Sequence, residues 1–329
     1  MSIRIAGTGS YLPERILTNA DLEKMVDTSD EWIRTRTGIS ERHIAAADQC
    51  TSDLATEAAR KALEAAELEP GQIDAVIVAT CTPDYTFPGT AANVHRKLKL
   101  EKAFCFDLSA ACCGFLSALE AACGIMFSNK KYRHVLVIGA EKLSTIVNWE
   151  DRSTCVLFGD GAGAVVLEYV EDGNNTGLVA SDMNTDGNWS DILKLPAGGS
   201  VNPASADTVA NHMHSIHMQG QETFKLAVNA MVSACRKVEE EAGISITSDV
   251  KCVIPHQANI RIIQAVAKRI GLGEDQVICN IDRFGNTSAA SVAIGLDEAV
   301  RTGKLQRGDL ALLASFGSGL VWGAQLLRY

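Results

Sequence analysis

Read as a pattern, these 329 residues describe an α/β chain folded as two related halves. Short apolar, β-branched runs alternate with alanine-rich helical stretches, the order that produces parallel strands covered by helices. The second half repeats the style of the first. Two short motifs also recur: Phe158-Gly-Asp-Gly-Ala-Gly-Ala returns as Phe316-Gly-Ser-Gly-Leu, 158 residues later, and Ser109-Ala-Ala-Cys112 returns as Ser288-Ala-Ala-Ser291, 179 residues later. Together the echoes favour an internal duplication of about half the chain.

The opening Met1-Ser-Ile-Arg-Ile-Ala-Gly reads as a first strand. Thr51 to Ala66 is an amphipathic helix, with Thr51 or Ser52 expected as its cap. Asp74 to Cys81 and His134 to Glu141 are nearly continuous apolar runs, as expected of strands buried on both faces. Between them, Ala110 to Phe127 has helical spacing at Leu116, Leu119, Ala122 and Cys123. The polar segment Glu171 to Thr176 is the expected junction, giving halves of 1–172 and 173–329. Beyond it, Glu222 to Ala242 and Asn259 to Ile270 read as helices, the latter closed by Gly271. Val250 to Pro255 and Asp309 to Ser315 read as strands. With no low-complexity linker, the halves are expected to pack tightly on each other.

A formal net charge of −10 argues against a nucleic-acid surface, although a few local arginines suffice for a phosphorylated ligand. No run of about 18 consecutive apolar residues is present, so no membrane span is expected. The N-terminus lacks the basic and apolar regions of a signal peptide. Ten cysteines without a CxxC pair fit reduced, mostly buried thiols, and a cytoplasmic setting is expected.

Four places hold residues suited to chemistry. Cys112 follows an apolar strand and opens a helix, where backbone N–H groups and the helix dipole favour thiolate over thiol. Small neighbours Ala110, Ala111 and Gly114 leave room for a substrate. A nucleophile and a buried structural cysteine are both open readings for Cys112, whereas Cys105, Cys123 and Cys155 take the structural one. Cys113 points about 100° away on a helix and is not expected to share the role. His256 stands at the carboxyl end of a strand, where α/β active sites form, or else caps the next helix. Asn286, after Gly285, is a site residue or an N-cap. Phe316-Gly-Ser-Gly-Leu320 offers backbone N–H groups to an oxyanion, or is simply a glycine turn between strands.

Other motifs are declined. Gly7-Thr-Gly lacks the third glycine of a dinucleotide fingerprint, and Gly159-Asp-Gly-Ala-Gly163 leads into a strand, which has no dipole to offer a phosphate. In an extended segment His212 and His214 share one face and His217 takes the other, with no carboxylate nearby, so a polar loop and no metal site is expected there.

Cys112, His256 and Asn286, set in Ala-Ala-Cys-Cys-Gly-Phe, His-Gln-Ala-Asn-Ile-Arg and Gly-Asn-Thr-Ser-Ala-Ala-Ser, closely resemble the site of the β-ketoacyl-ACP synthase III family. The likeness runs through Gly7-Thr-Gly-Ser-Tyr-Leu-Pro13, Ser29-Asp-Glu-Trp32, Thr35-Arg-Thr-Gly38 and Phe158-Gly-Asp-Gly-Ala-Gly163 to Trp322-Gly-Ala-Gln. It implies a thiolase-like fold of two βαβαβαββ halves in a five-layered αβαβα arrangement, and a homodimer. The implied reaction condenses a short acyl-CoA, acetyl-CoA by default, with malonyl-ACP through an acyl-cysteine, beginning a fatty-acid chain. No cofactor or metal is implied. A thiolase would need a second cysteine near the C-terminus, yet none follows Cys279. The elongating synthases use two histidines, and a papain-like Cys-His-Asn hydrolase carries a signature absent here. A related condensing enzyme of secondary metabolism stays open.

The resemblance also implies finer roles. The N–H groups of Cys112 and Ser318 would form the oxyanion hole. Trp32 and Arg152 would sandwich the CoA adenine, with Arg36 near its phosphates. Ala258 and Asn259 would line the pantetheine channel and Phe224 its mouth, while Lys225 and Arg261 would meet acidic acyl carrier protein. Phe87 would reach the acyl pocket of a partner protomer. The chain departs from the family pattern at Cys113, where Ala or Ser is usual, and at Ser318 in a turn often written with Gly or Ala. Cys113 would add a second oxidisable thiol beside the nucleophile.

Overall fold

The computed structural model describes residues 2–171 and 176–329, so the expected junction at 172/173 lies outside the described residues. In chain order the main elements are β1 (Ser2–Tyr11), α1 (Asp30–Thr37), α2 (Thr51–Ala66), β2 (Ala75–Ala79), α3 (Thr90–Leu98), β3 (Phe104–Leu108), α4 (Gly114–Ser128), β4 (His134–Glu141), β5 (Gly161–Val170), β6 (Gly177–Thr185), α5 (Gly220–Ala242), β7 (Val250–Pro255), α6 (Ile260–Ile270), α7 (Ala290–Arg301), β8 (Leu310–Gly317) and β9 (Val321–Arg328). Helix α2 begins where expected, but its cap is Cys50: the Asp53 carboxylate accepts the Cys50 N–H.

Two sheets organise these elements. The first runs β1-β5-β4-β2-β3, with β2 parallel to both β3 and β4 and the remaining pairs antiparallel. The second runs β7-β8-β9-β6, again with the parallel pair at the β7 end. A parallel bridge from Val253 to Val277 stands where a fifth strand would lie. Strand β2 shows how layering follows from sequence. Ala75, Ile77 and Ala79 join the cluster between the sheets, while Val76 and Val78 join α2 and α3 on the outer face. Both faces are covered, so the strand reads as an unbroken apolar run.

Helices α4 and α7 fill the space between the sheets, in one apolar cluster with Ile77, Val137, Ile254 and Leu313. Helices α5 and α6 cover the second sheet's outer face through Met231, Val238, Val266 and Ile270. The result is the five-layered αβαβα arrangement. The declined glycine motif turns out to serve packing: a Cβ at Gly163 would lie 2.5 Å from the Ala293 Cβ, so α7 presses directly on β5. Residues Ala111–Ser128 are long and apolar enough to pass for a membrane span, with mean hydropathy 1.6. Half of that window is buried inside the protein, where α4 is the core helix between the sheets.

Candidate active site

Each central helix is entered through a strained turn. Ala111 (φ 45) and Ser288 (φ 48) both adopt the left-handed conformation that non-glycine residues avoid, one just before Cys112 and the other just before Ala289. These equivalent turns lie 177 residues apart, two fewer than the sequence echo suggested.

The first turn swings Cys112 to the end of the core helix, nearly buried at 9% exposure. The Ser315 hydroxyl donates to the Cys112 carbonyl at 2.8 Å, and Gly317 packs so closely that a Cβ there would lie 2.7 Å from the Cys112 nitrogen. Burial pushes the Cys112 thiol up to about 11, opposed by a hydrogen bond from Ser288 and reinforced by the Glu141 charge. The helix terminus therefore does not by itself yield a ready thiolate. Cys113 is fully buried in the core, and burial lifts it to about 12. Of the cysteines assigned a structural role, Cys123 and Cys155 are buried, whereas Cys105 is half-buried on β3.

His256 follows β7 and is 2% exposed. The cap of α6 is Asn259, whose side chain accepts the Arg261 N–H, so His256 is free of that duty. Its Nδ1 meets the Ser291 Oγ at 3.1 Å, and the same oxygen accepts the Gln257 N–H at 2.7 Å. Burial pushes the imidazole down to about 4, leaving it neutral at physiological pH.

Asn286 is held by its own backbone. Its N–H donates to the Leu157 carbonyl at 2.8 Å, and its carbonyl accepts the Gly159 N–H at 3.0 Å. Gly285, at φ 65, makes the approach possible, since a Cβ there would lie 2.9 Å from the Leu157 oxygen. The Asn286 Oδ1 accepts the Ser288 N–H at 2.8 Å. An N–H can only donate, so this contact fixes the amide orientation and leaves Nδ2 as the donor for other partners.

Two cavities meet at Cys112. One, of about 560 Å³, is lined by Cys112, His256 and Asn286 at its inner end and by Trp32, Arg36, Arg152, Phe224, Ala258 and Asn259. The other, of about 360 Å³, lies beyond Cys112 among Cys81, Leu143, Ile146, Leu195, Ser288 and Ser318. Both volumes suit small-molecule sites. Arg152 stacks on Trp32 with its guanidinium 5.4 Å from the ring centroid. A base between them needs two stacking distances, roughly 7 Å in all, so Arg152 must move outward to admit one. The Ser318 hydroxyl donates to the Leu193 carbonyl, leaving its backbone as the part available to an oxyanion. Lys225 and Arg261 are exposed and lie outside both cavity linings. Phe87 is 84% exposed and reaches neither cavity of its own chain.

Sequence reasoning missed three buried polar residues. Ser291 orients His256, and its place in the echoed Ser-Ala-Ala-Ser motif was the available signal. Gln257 donates to the Pro255 and Ile278 carbonyls and accepts the Asn280 and Ile281 N–H groups, stapling the His256 turn to the segment before Asn286. Glu141, wholly buried at the end of β4, was visible as a carboxylate closing an apolar run.

Known proteins resemble this chain in sequence and fold. The family model for the C-terminal part of 3-oxoacyl-[acyl-carrier-protein] synthase III matches residues 240–329, and that for the synthase III itself matches residues 106–187. A β-ketoacyl-[acyl-carrier-protein] synthase III of Desulfitobacterium hafniense is 51% identical over 329 residues, covering 100% of this chain and 98% of the relative. One from Caldanaerobacter subterraneus subsp. tengcongensis is 54% identical over 325 residues, 99% of this chain and 97% of its own. The crystal structure of 3-oxoacyl-[acyl-carrier-protein] synthase III from Aquifex aeolicus superposes with a TM-score of 0.91 at 49% identity, covering 100% of both chains. The chain belongs to the β-ketoacyl-ACP synthase III family.

Proposed function

We propose that this member of the synthase III family begins fatty-acid chains by condensing a short acyl-CoA, acetyl-CoA by default, with malonyl-ACP, with Cys112, His256 and Asn286 as its catalytic residues. The observation that carries the reading is the meeting of these three side chains at the inner end of one cavity. The thiolate of Cys112 attacks the acyl thioester, and CoA departs. The N–H groups of Cys112 and Ser318 receive the developing oxyanion. Malonyl-ACP follows through the same cavity. The Nε2 of His256 and the Nδ2 of Asn286 donate to its thioester oxygen, and the enolate forms as carbon dioxide leaves. This carbanion attacks the acyl-cysteine to give 3-ketoacyl-ACP.

The hydrogen bonds around the two donors fit the step. Ser291 already accepts the Gln257 N–H, so its proton is best directed at His256 Nδ1, leaving the imidazole N–H on Nε2. With its pKa near 4 the ring is a neutral donor, too weak an acid to quench a carbanion. Neither donor calls for a metal or a bound cofactor.

The larger cavity receives the CoA or carrier-protein arm, with Trp32 and Arg152 around the adenine, Arg36 near the phosphates, Phe224 at the mouth, and Ala258 and Asn259 along the pantetheine. Lys225 and Arg261 meet acidic carrier protein. The smaller cavity holds the acyl group. Residues 1–172 supply the nucleophile and 173–329 the histidine and asparagine. The working unit is a homodimer in the cytoplasm. Supporting this, β3 ends the first sheet with an open edge and exposed Phe104, and Phe87 projects with Tyr85 into solvent, where a partner's acyl pocket can receive it.

The test is incubation with a panel of acyl-CoAs and malonyl-ACP, followed by mass analysis of protein and product. Acetylated Cys112, release of carbon dioxide and acetoacetyl-ACP are expected. Peptide cleavage without decarboxylation would overturn the reading.

A further inference from the structure

Arg42 is a wholly buried cation that lines neither cavity. Its guanidinium meets neutral acceptors. Nη1 donates to the Leu17 carbonyl at 3.1 Å and to the Asn19 Oδ1 at 2.9 Å, and Nη2 donates to the Val156 carbonyl at 2.7 Å. Its Nε finds no partner among the described residues. Burying a charge without a counter-charge is unfavourable, and an apolar side chain of that size would fill the space without the desolvation. What the cation holds is the backbone beside Asn286.

Arg42 stands on the short strand Glu41–Ile44, which is tied to both segments that meet at Asn286. On one side the Asp160 N–H donates to the His43 carbonyl at 2.8 Å, and on the other the Ser40 N–H donates to the Asp282 carbonyl at 2.9 Å. The Arg42 stem fills the angle between them: a Cβ at Gly159 would lie 3.0 Å from the Arg42 Cβ, and one at Gly285 3.4 Å from it. The same segments form the parallel bridge of Phe158 with Asn286. Through it the Asn286 N–H reaches the Leu157 carbonyl, and the Asn286 carbonyl accepts the Gly159 N–H. The carbonyl that Nη2 holds belongs to Val156, the residue just before Leu157.

We propose that Arg42 is a positioning residue for the condensation step: its fork fixes the 156–159 backbone, and that backbone aims the Asn286 Nδ2 at the malonyl thioester oxygen. The two backbone bonds set the place of the Asn286 Cα, and the Oδ1 contact with the Ser288 N–H sets the rotation of the amide. If the Leu157 carbonyl drifts, the donor drifts with it. Misplacing a group that acts in the transition state by 1 Å can lose about a hundredfold in rate. Lysine is no substitute, because its ammonium is a point charge, whereas the planar fork meets acceptors on two sides at fixed angles. Acylation of Cys112 stands apart, since Asn286 takes no part in it. This role for Arg42 rests on Asn286 as the donor in the proposed reaction, which Asn286→Ala checks by itself.

Arg42→Lys is assayed by burst transfer from radiolabelled acetyl-CoA and by condensation with malonyl-ACP. Condensation is expected to slow about tenfold in kcat, with KM for malonyl-ACP and burst acetylation unchanged, since only a transition-state bond is weakened. Beside Asn286→Ala the same change should slow condensation by less than about twofold, because the donor it positions is gone; beside His256→Ala the loss should stay at about tenfold. A side chain that only supports the fold would slow both half-reactions and add its loss in every background. Asn19→Ala takes one acceptor from the guanidinium and leaves Arg42 in place, so it carries the cycle should Arg42→Lys not fold. The part of its effect that disappears beside Asn286→Ala is expected to be about threefold. A folded Arg42→Lys that condenses at the unaltered rate, or whose loss persists undiminished beside Asn286→Ala, overturns the role. If Asn286→Ala itself condenses at the full rate, the donor of the proposed reaction is wrong and the Arg42 role falls with it. A slow Asn286→Ala beside a fast Arg42→Lys sinks the Arg42 role alone.

Discussion

Ser291→Ala removes one oxygen and strands two buried groups, the Gln257 N–H and the His256 Nδ1. An orphaned buried polar group costs about 1–3 kcal/mol, so a stability loss of about 3 kcal/mol is expected, a fraction of the total that still leaves a folded enzyme. The catalytic effect follows from the tautomer. A neutral hydrogen bond contributes about 1 kcal/mol, and without it the bias placing the imidazole proton on Nε2 falls roughly fivefold to tenfold. Decarboxylation of malonyl-ACP should therefore slow by about tenfold, while acetyl transfer from acetyl-CoA keeps its rate because His256 takes no part in it. Urea denaturation gives the first quantity, and radiolabelled carbon dioxide release against burst acylation gives the second. Ring nitrogen NMR shifts report the tautomer itself. A folded Ser291→Ala enzyme that decarboxylates at the full rate, or shifts placing the proton on Nδ1 in the unaltered protein, would refute the orientation argument.

Three further outcomes follow from the same geometry. Loss of a preorganised donor costs about a hundredfold or more, so His256→Ala and Asn286→Ala should each retain burst acetylation yet lose that factor in condensation; failure at acetyl transfer with normal decarboxylation would reverse the assignment. Gly317→Ala drives a methyl to within 2.7 Å of the Cys112 nitrogen, so a cost of about 1–3 kcal/mol and a much larger loss of acylation than of stability are expected, by calorimetry and burst kinetics. His256 has a folded pKa near 4 against about 6.5 unfolded, so the unfolded chain binds the extra proton; stability present above about pH 6.5 should fall by about 3 kcal/mol on acidification to pH 4, and His256→Gln should flatten that part of a urea-denaturation profile.

The layers were legible because burial on both faces forces an unbroken apolar run, and β2 and β4 carry one each. Cys112, His256 and Asn286 were legible because each stands where a strand or turn meets a helix, and the two cavities converge on that junction. Part of what stayed hidden was local: cysteine is not a usual cap, and Cys50 takes that place because the Asp53 carboxylate, three residues on, reaches back to its N–H. The left-handed turns were also invisible, since alanine and serine avoid that backbone unless the surrounding fold imposes it.

The thiol exposes the limit of local reasoning most sharply. A helix terminus and small neighbours argue for thiolate, and that argument is sound for a cysteine open to water. Packing between two sheets adds an opposing desolvation cost that depends on residues as far off as Ser315, 203 positions away, and burial wins, lifting Cys112 to about 11. Both halves therefore shape the proposed nucleophile: the first carries the thiol beside the left-handed turn at Ala111, and the second buries it through Ser315, which donates to the Cys112 carbonyl, and Gly317, which packs against the Cys112 nitrogen. Removing the second half would strip away that packing and return Cys112 to water, where the helix terminus favours the thiolate.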